Sequence, residues 1–289
     1  MFKIYFVNFW PGFEQLTRND PLNKWFFADL LGGVPCETFE EANILCTSVF
    51  GDKFLATTRG KLIVQFSGEA YHYTPNERFR VSLICERDTD KVICLPFAIA
   101  YLQSSPRALS LITSRRPASK VPEKFCCFII SNPNCTVRNK MFQQLSKYKR
   151  VDSWGRALNN MGPLEGDWTG ERILQVISQY KFIICFENKW VANYITEKIV
   201  NPFLVGCVPI YWGSPHALHI FNQRAFVYLD KQEPNDVDIQ KCCDEIARLD
   251  RDDTAYLKMR AETPLRDNRL QPEYALGKLK KRIAEKLNC

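Results

Sequence analysis

Apolar and polar positions alternate in short blocks along most of the chain. In the first third, Lys3–Phe9, Ala42–Ser48, Lys61–Phe66 and Val92–Pro96 are apolar runs of strand length bounded by polar turns. Asn23–Leu31 predicts a helix, stopped by Gly32 and Gly33. Residues 104–122 are polar, basic and broken by three prolines, which predicts a linker. A second alternating unit starts with a strand at Lys124. Thr136–Tyr148 carries Val137, Met141, Leu145 and Tyr148 at helical spacing. Residues 151–168 form a Gly/Asn-rich polar loop, long enough to expect a functional role. Thr169–Tyr180 predicts a helix. Strands then start at Lys181 and cover Val208–Trp212 and Ala225–Leu229. Asp236 or Asp238 is the expected cap of a helix whose apolar face uses Ile239, Cys242, Ile246 and Leu249. Thr254–Glu262 and Pro272–Leu287 predict the last two helices. The pattern is that of an α/β chain with two βα domains. The expected divisions are 1–118, 119–270 and a basic helical tail at 271–289. A cleft between the domains is the expected place for a small-molecule site.

Composition narrows the class. Hydrophobic residues make up 46% of the 289 and charged residues 25%, as in ordinary soluble globular proteins. No stretch of 18 apolar residues exists, so no membrane span is expected. The opening MFKIYFVNFW reads as a first strand rather than a signal peptide. The twelve cysteines include no CxxC or Cys-x-x-His pair, which argues against zinc. Most lie in apolar strands or on apolar helix faces, so reduced, buried thiols and a cytoplasmic location are expected. Asn134-Cys-Thr136 is then a chance glycosylation tripeptide. The net charge is +7, and residues 278–289 hold five Lys/Arg against one Glu. That tail lacks interleaved aromatics, which argues against nucleic acid. A solvated helical face is the simpler reading, with peripheral membrane contact as the other use of its charge. No GxGxxG or GxxxxGK[ST] occurs, so ATP-driven and NAD-dependent chemistry are not expected.

The densest chemistry lies in Tyr180–Pro215. An apolar run, Phe182–Phe186, ends in Glu187–Asn188, a polar cluster Tyr194-Ile-Thr-Glu-Lys198 follows, and a second apolar run stops at Gly213. This layout puts polar groups at the carboxyl ends of parallel strands, where open α/β sheets bind ligands. Lys198 falls in the first turn of a helix, an unfavourable place for a cation unless an anion sits there. Arg138 repeats the arrangement at another helix start, and two such sites fit a diphosphate. An ordinary surface arginine is the competing reading for Arg138. Glu197 is either a partner of sugar hydroxyls or a glutamate favoured by the helix dipole. Asn188 and Tyr194 either orient a hydroxylated ligand or serve turn chemistry and burial. Glu69 follows Gly68 at the end of a predicted strand, where it is a candidate general base ahead of Asp29, Asp52 and Glu86. His72, His216 and His219 have no catalytic spacing and are read as structural.

Five blocks then carry a specific resemblance: Ser131-Asn-Pro-Asn-Cys-Thr-Val-Arg-Asn139, Val151-Asp-Ser-Trp-Gly-Arg156, Phe186-Glu-Asn188, Tyr194-Ile-Thr-Glu-Lys-Ile199 and Val208-Pro-Ile-Tyr-Trp-Gly-Ser-Pro215. In this order and spacing the chain resembles the α-1,3-fucosyltransferases of glycosyltransferase family 10. The first 120 residues share little beyond Phe66-Ser-Gly-Glu-Ala70. The resemblance implies a GT-B architecture, two Rossmann-like domains facing a central cleft, with the acceptor on the first and GDP-fucose on the second. It implies Glu69 as general base, Arg138 and Lys198 on the diphosphate, Glu197 on the fucose or ribose, and Asn188 and Tyr194 lining the donor pocket. No metal or other cofactor is implied, since fixed cations neutralise the diphosphate. Golgi members of the family begin with a membrane anchor and stem, so the chain resembles the soluble bacterial or viral form. The alternatives are a GT-B transferase with another nucleotide sugar and a non-catalytic glycan- or nucleic-acid-binding module.

Overall fold

The computed structural model describes residues 1–288 other than 54–57, 59, 73, 75–76, 115–119, 163 and 165–169. The chain divides into two compact units. The first holds Met1–Leu109, Ala192–Tyr194 and Leu270–Cys289, and the second holds Ser110–Val191 and Ile195–Arg269.

In the first unit the strands are β1 (Phe2–Val7), β2 (Gly33–Pro35), β3 (Ile44–Thr47), β4 (Leu62–Phe66), β5 (Phe79–Ile84) and β6 (Val92–Cys94). They form one parallel sheet in the order β2-β1-β3-β4-β5-β6. Helix α1 (Lys24–Leu30) connects β1 to β2, and Asn23 caps it by accepting the Phe26 N–H at 2.9 Å. Phe6, Phe9, Phe13, Phe27 and Phe66 pack ring against ring beside β1 and β4.

Two features of this unit depart from the sequence reading. Strand β5 and helix α2 (Phe97–Ser104) had no distinct period: β5 is buried through Val81–Ile84 and α2 through Ala98–Leu102, so neither alternates cleanly. The expected linker at 104–122 is partly helix, because α3 spans Pro106–Thr113. Pro106 occupies the first turn, where its missing N–H costs nothing, and Ser105 accepts the Ala108 N–H at 3.2 Å. Ala108 and Ile112 are buried, and the chain passes from the first unit to the second within this helix, between Leu109 and Ser110. The remainder of that stretch, 115–119, lies outside the described residues, and with it the expected boundary at 118.

The second unit repeats the plan with β7 (Lys124–Phe128), α4 (Thr136–Tyr148), β8 (Val151–Ser153), α5 (Glu171–Ile177), β9 (Tyr180–Ile184), α6 (Glu197–Val205), β10 (Val208–Tyr211), α7 (Ala217–Ile220), β11 (Val227–Tyr228), α8 (Asp236–Arg251) and α9 (Asp253–Ala261). The sheet is parallel, in the order β11-β10-β9-β7-β8. Alternation along the strands sorts the two faces. Cys126, Phe128, Phe182, Ile184, Val208 and Ile210 pack with Met141 and Leu145 of α4 and Ile239, Cys243 and Ile246 of α8. Cys127, Tyr180 and Ile183 pack on the other face with Ile173 and Ile177 of α5. The cap of α8 is Asn235, not Asp236 or Asp238. Its side chain accepts the Asp238 N–H, and Asp238 closes the capping box by accepting the Asn235 N–H.

The described cysteines are all free thiols, nine of them buried. Burial pushes Cys126, Cys127 and Cys185 well above the ordinary thiol range, so they behave as small apolar side chains. The last helix, α10 (Leu276–Asn288), starts later than expected, after a 3-10 turn at Pro272–Tyr274. It buries Leu279, Ile283 and Leu287 within the first unit. Several of its cations are engaged: Lys280 pairs with Asp29 at 2.6 Å, Arg282 pairs with Asp88 at 2.6 Å, and Lys286 donates to the Thr89 and Asp90 carbonyls. No helix among the described residues is long and apolar enough to cross a membrane.

Candidate functional site

The order of the second sheet contains a reversal. The chain leaves β7 for β8 on one side, then crosses back over β7 to β9 on the other. Such a reversal opens a crevice at the carboxyl ends of the two central strands, the usual ligand position in open α/β sheets. Helix α4 begins just past β7 and α6 follows β9, so two helix starts, each with a cation in its first turn, serve the neighbouring strands β7 and β9.

Arg138 is not a surface arginine. It is fully buried, and its guanidinium donates to the Phe186 carbonyl at 3.2 Å, to Asn188 Oδ1 at 2.9 Å and to the Asn132 carbonyl at 2.6 Å. The Asn132 turn is itself fixed, because Asn132 Oδ1 accepts the Asn134 N–H at 2.9 Å. Asn188 therefore holds Arg138, a role beyond ordinary turn chemistry. Gly155, in the Val151–Arg156 block, lies against Ile130, and a Cβ there would run into the Ile130 backbone. That close approach lets Ala157 and Trp154 bond back to the β7 end through the Ile130 and Phe128 carbonyls.

Lys198 and Glu197 are brought together with a residue whose role the sequence did not reveal, Glu187. Glu187 has no exposed surface. Its carboxylate accepts the Thr196 N–H at 2.8 Å, the Thr196 hydroxyl at 2.9 Å and the Tyr211 hydroxyl at 3.4 Å. Lys198 Nζ stands 3.7 Å from Glu187 and 3.5 Å from Glu197, and also donates to Thr196 Oγ1 at 3.2 Å. Thr196 is the cap of α6, accepting the Lys198 N–H. An anion at this helix start was expected from Lys198 alone; the protein supplies one itself. Burial pushes the Glu187 carboxyl up to about 7, with Glu197 adding to the rise and Lys198 and the Thr196 bonds opposing it. The signal available in the sequence was the polar pair Glu187–Asn188 closing an apolar strand.

Tyr194 is buried and belongs with the first unit, whereas Ile195–Arg269 belongs with the second. Glu69, also in the first unit, follows β4 and is half-buried. Its N–H donates to Ser67 Oγ at 3.2 Å, and the Ser67 hydroxyl donates to the Tyr71 carbonyl at 2.8 Å, which fixes the turn. Gly68 meets a packing demand as well: a Cβ there would run into the Phe97 ring of α2. Of the competing carboxylates, Glu86 pairs with His72 at 2.9 Å and Asp29 with Lys280. Asp88-Thr-Asp90, Asp236-Val-Asp238 and Asp250-Arg-Asp252 have D-x-D spacing. Among the described residues no three His, Cys, Asp or Glu side chains gather as a metal site.

Residues 119–261 match the model of glycosyltransferase family 10 (fucosyltransferase), C-terminal domain. That segment is a domain of the family. The alpha-(1,3)-fucosyltransferase FucT of Helicobacter pylori is 36% identical over 141 residues, covering 49% of this chain and 28% of that one. The GDP-fucose protein O-fucosyltransferase 3 of Homo sapiens is 30% identical over 176 residues, covering 56% and 35%. The chain thus spans about a third or less of the length of these relatives. Two crystal structures of alpha1,3-fucosyltransferase, one with GDP-fucose, superpose with TM-scores of 0.74 and 0.72 at 21% identity. They cover 99% and 98% of this chain, and 89% and 90% of their own. The fold is therefore GT-B, with two Rossmann-like units. All five family blocks quoted from the sequence fall within the matched domain.

Proposed function

We propose that the protein transfers L-fucose from GDP-β-L-fucose to a hydroxyl of an N-acetylglucosamine- or glucose-containing glycan, with inversion, forming an α-1,3 or α-1,4 linkage. The observation that carries this reading is the pair of first-turn cations, Arg138 and Lys198, at the switch point of a family 10 domain. In it Lys198 meets the diphosphate directly, and Arg138, held by Asn132, Phe186 and Asn188, adds fixed positive charge behind it. Glu197 and Asn188 line the donor pocket with Tyr194. Inversion requires a single in-line displacement. Glu69 deprotonates the acceptor hydroxyl as it attacks the anomeric carbon, the bond to the β-phosphate breaks, and GDP leaves as the anion. The anomeric carbon passes through an oxocarbenium-like state that a nearby carboxylate tolerates.

The test is mass-spectrometric product analysis after incubation with GDP-fucose and a panel of β-galactosyl-N-acetylglucosamine and related acceptors, with GDP-mannose, UDP-GlcNAc and UDP-galactose in parallel. A fucosylated product from GDP-fucose alone is expected. Transfer from a different nucleotide sugar, or from none, would reject the donor assignment.

A further inference from the structure

The anion that satisfies the α6 start in this structure is not a ligand but Glu187, and that arrangement has a consequence when a second anion arrives. We propose that Glu187 is the resident counter-anion of Lys198, that the donor diphosphate replaces it there, and that its carboxyl group takes up a proton from solvent as this happens. The inference rests on the donor reading given above.

The geometry leaves few alternatives for the carboxylate. Glu187 has no exposed surface, so water cannot screen its charge. Its charge is offset by Lys198 at 3.7 Å, while the neighbouring Glu197 carboxylate opposes it. The other titratable groups facing it are Tyr211 from β10, Cys185 just past β9 and Cys135, whose thiol donates to the Glu187 carbonyl at 3.6 Å from the start of α4. None of these is positive; the further cation nearby is Arg138 of α4, whose guanidinium donates to the Phe186 carbonyl and to Asn188 Oδ1, the residues on either side of Glu187. A diphosphate that draws Lys198 to itself leaves Glu187 both less compensated and beside new negative charge. Like charges sharing one desolvated site are not both kept ionised. The hydrogen bonds permit the neutral form. Thr196 Oγ and the Tyr211 hydroxyl are rotors, so either can turn from donor to acceptor for the new carboxyl O–H. The backbone bond from the Thr196 N–H to Glu187 survives in both forms, and the α6 cap stays in place. The resting value of about 7 puts this uptake in an accessible pH range.

The proton balance is simple: one proton passes from buffer to the Glu187 carboxyl, and no other bond changes. GDP-fucose is the right probe, because both its phosphates are diester-like and neither titrates near neutrality. Calorimetric titration with GDP-fucose at pH 7, in buffers of different ionisation enthalpy, measures the protons taken up. Wild type should take up about half a proton per donor bound near pH 7, falling toward zero well below and well above it, by proton linkage. Its affinity should weaken about threefold to tenfold from pH 6 to pH 8, the size expected for one linked proton. Glu187→Gln should bind the donor with no uptake and a flat pH profile. Where that variant does not fold, Thr196→Val serves instead. It removes a hydrogen bond to the ionised carboxylate and should move the uptake maximum to higher pH. Donor binding without proton uptake by wild type between pH 6 and 8, or uptake retained in folded Glu187→Gln, overturns the inference and leaves the donor assignment standing. No binding of GDP-fucose at all rejects the donor assignment, and this inference with it.

Discussion

A carboxylate inside a protein carries its cost into the folding equilibrium as well as into binding. Glu187 is fully buried and its folded-state value rises from 4.5 to about 7. The folded state therefore holds the proton more tightly than the unfolded state. The stabilisation from this group is complete below about pH 4.5 and is lost as pH rises through about 7, a change on the order of 3 kcal/mol. Urea melts of wild type and Glu187→Gln at pH 5 and pH 8 should show the stability difference between them shifting by that order in favour of the variant at the higher pH. A pH-independent difference would mean that Glu187 does not titrate in this range. Lys198 belongs to the same cluster but keeps a partly exposed side chain, at 19%. Lys198→Ala should lower GDP affinity about tenfold to a hundredfold, the loss of one charge-assisted contact, by calorimetry on folded protein. Unchanged affinity would remove Lys198 from the diphosphate. Both cations were legible in the sequence because a first-turn lysine or arginine conflicts with the helix dipole. The burial of Arg138 was not, since its acceptors at Phe186 and Asn188 lie 48 and 50 positions away. Glu187 was quoted within a motif, yet its link to Tyr211 spans 24 residues and no local rule points to it.

Elements in the second unit are tied below the site as firmly as above it. Lys181, on β9, is nearly buried and bonds the Asp250 carbonyl at 3.0 Å, while its ammonium pairs with the Asp250 carboxylate at 3.2 Å. Lys149, just past α4, reaches the same carboxylate at 3.1 Å, so one aspartate near the end of α8 joins β9 and α4. Burial pushes Asp250 upward, but the hydrogen bonds from Lys149 and Lys181 and their charges outweigh it and hold the carboxyl below its ordinary value. Asp250→Ala leaves the buried Lys181 with Asp253 at 3.2 Å as its remaining carboxylate, and should destabilise by about 1.5–3 kcal/mol in denaturant melts, the range for losing bonds to a charged group. A loss below about 1 kcal/mol would place the pair among weak surface bridges. The strands and helices of this unit were largely readable. β10 is an unbroken apolar run, β7 is one after Lys124, β9 is broken only at Lys181, and α4 and α8 keep strict apolar spacing. The first unit was less so. In β5, Arg80 and Ser82 break the run, and in α2 the apolar residues cover every face, so periodicity carries no signal. Prolines and bases at 104–122 read as a linker, although Pro106 sits where a helix start tolerates it best.

At the scale of the molecule, the proposed chemistry divides between the two units: Glu69 and Tyr194 belong to the first, and Arg138, Asn188, Glu197 and Lys198 belong to the second. Fixed cations on the donor side are expected to do the charge neutralisation. Turnover should therefore persist in excess EDTA, and a complete, Mn²⁺-reversible loss would overturn that expectation. The division also makes the base testable in isolation. Glu69→Gln keeps the shape of the side chain and removes its proton acceptor. The turn that carries it is held by Ser67 and by the packing of Gly68 on Phe97, neither of which uses the Glu69 carboxylate, so the fold should survive. The rate of the chemical step should fall by about 10²–10⁴, the usual worth of a positioned base. GDP affinity should stay within about twofold, because the diphosphate ligands are all in the other unit. The rival base, Glu86, is already paired with His72 at 2.9 Å, so a His72→Gln change would raise its freedom without restoring activity to Glu69→Gln. Pre-steady-state product formation with saturating donor and acceptor separates the two. If folded Glu69→Gln forms product at more than about half the wild-type rate, well short of the loss expected for a base, the proton goes elsewhere and Glu86 becomes the carboxylate to change next.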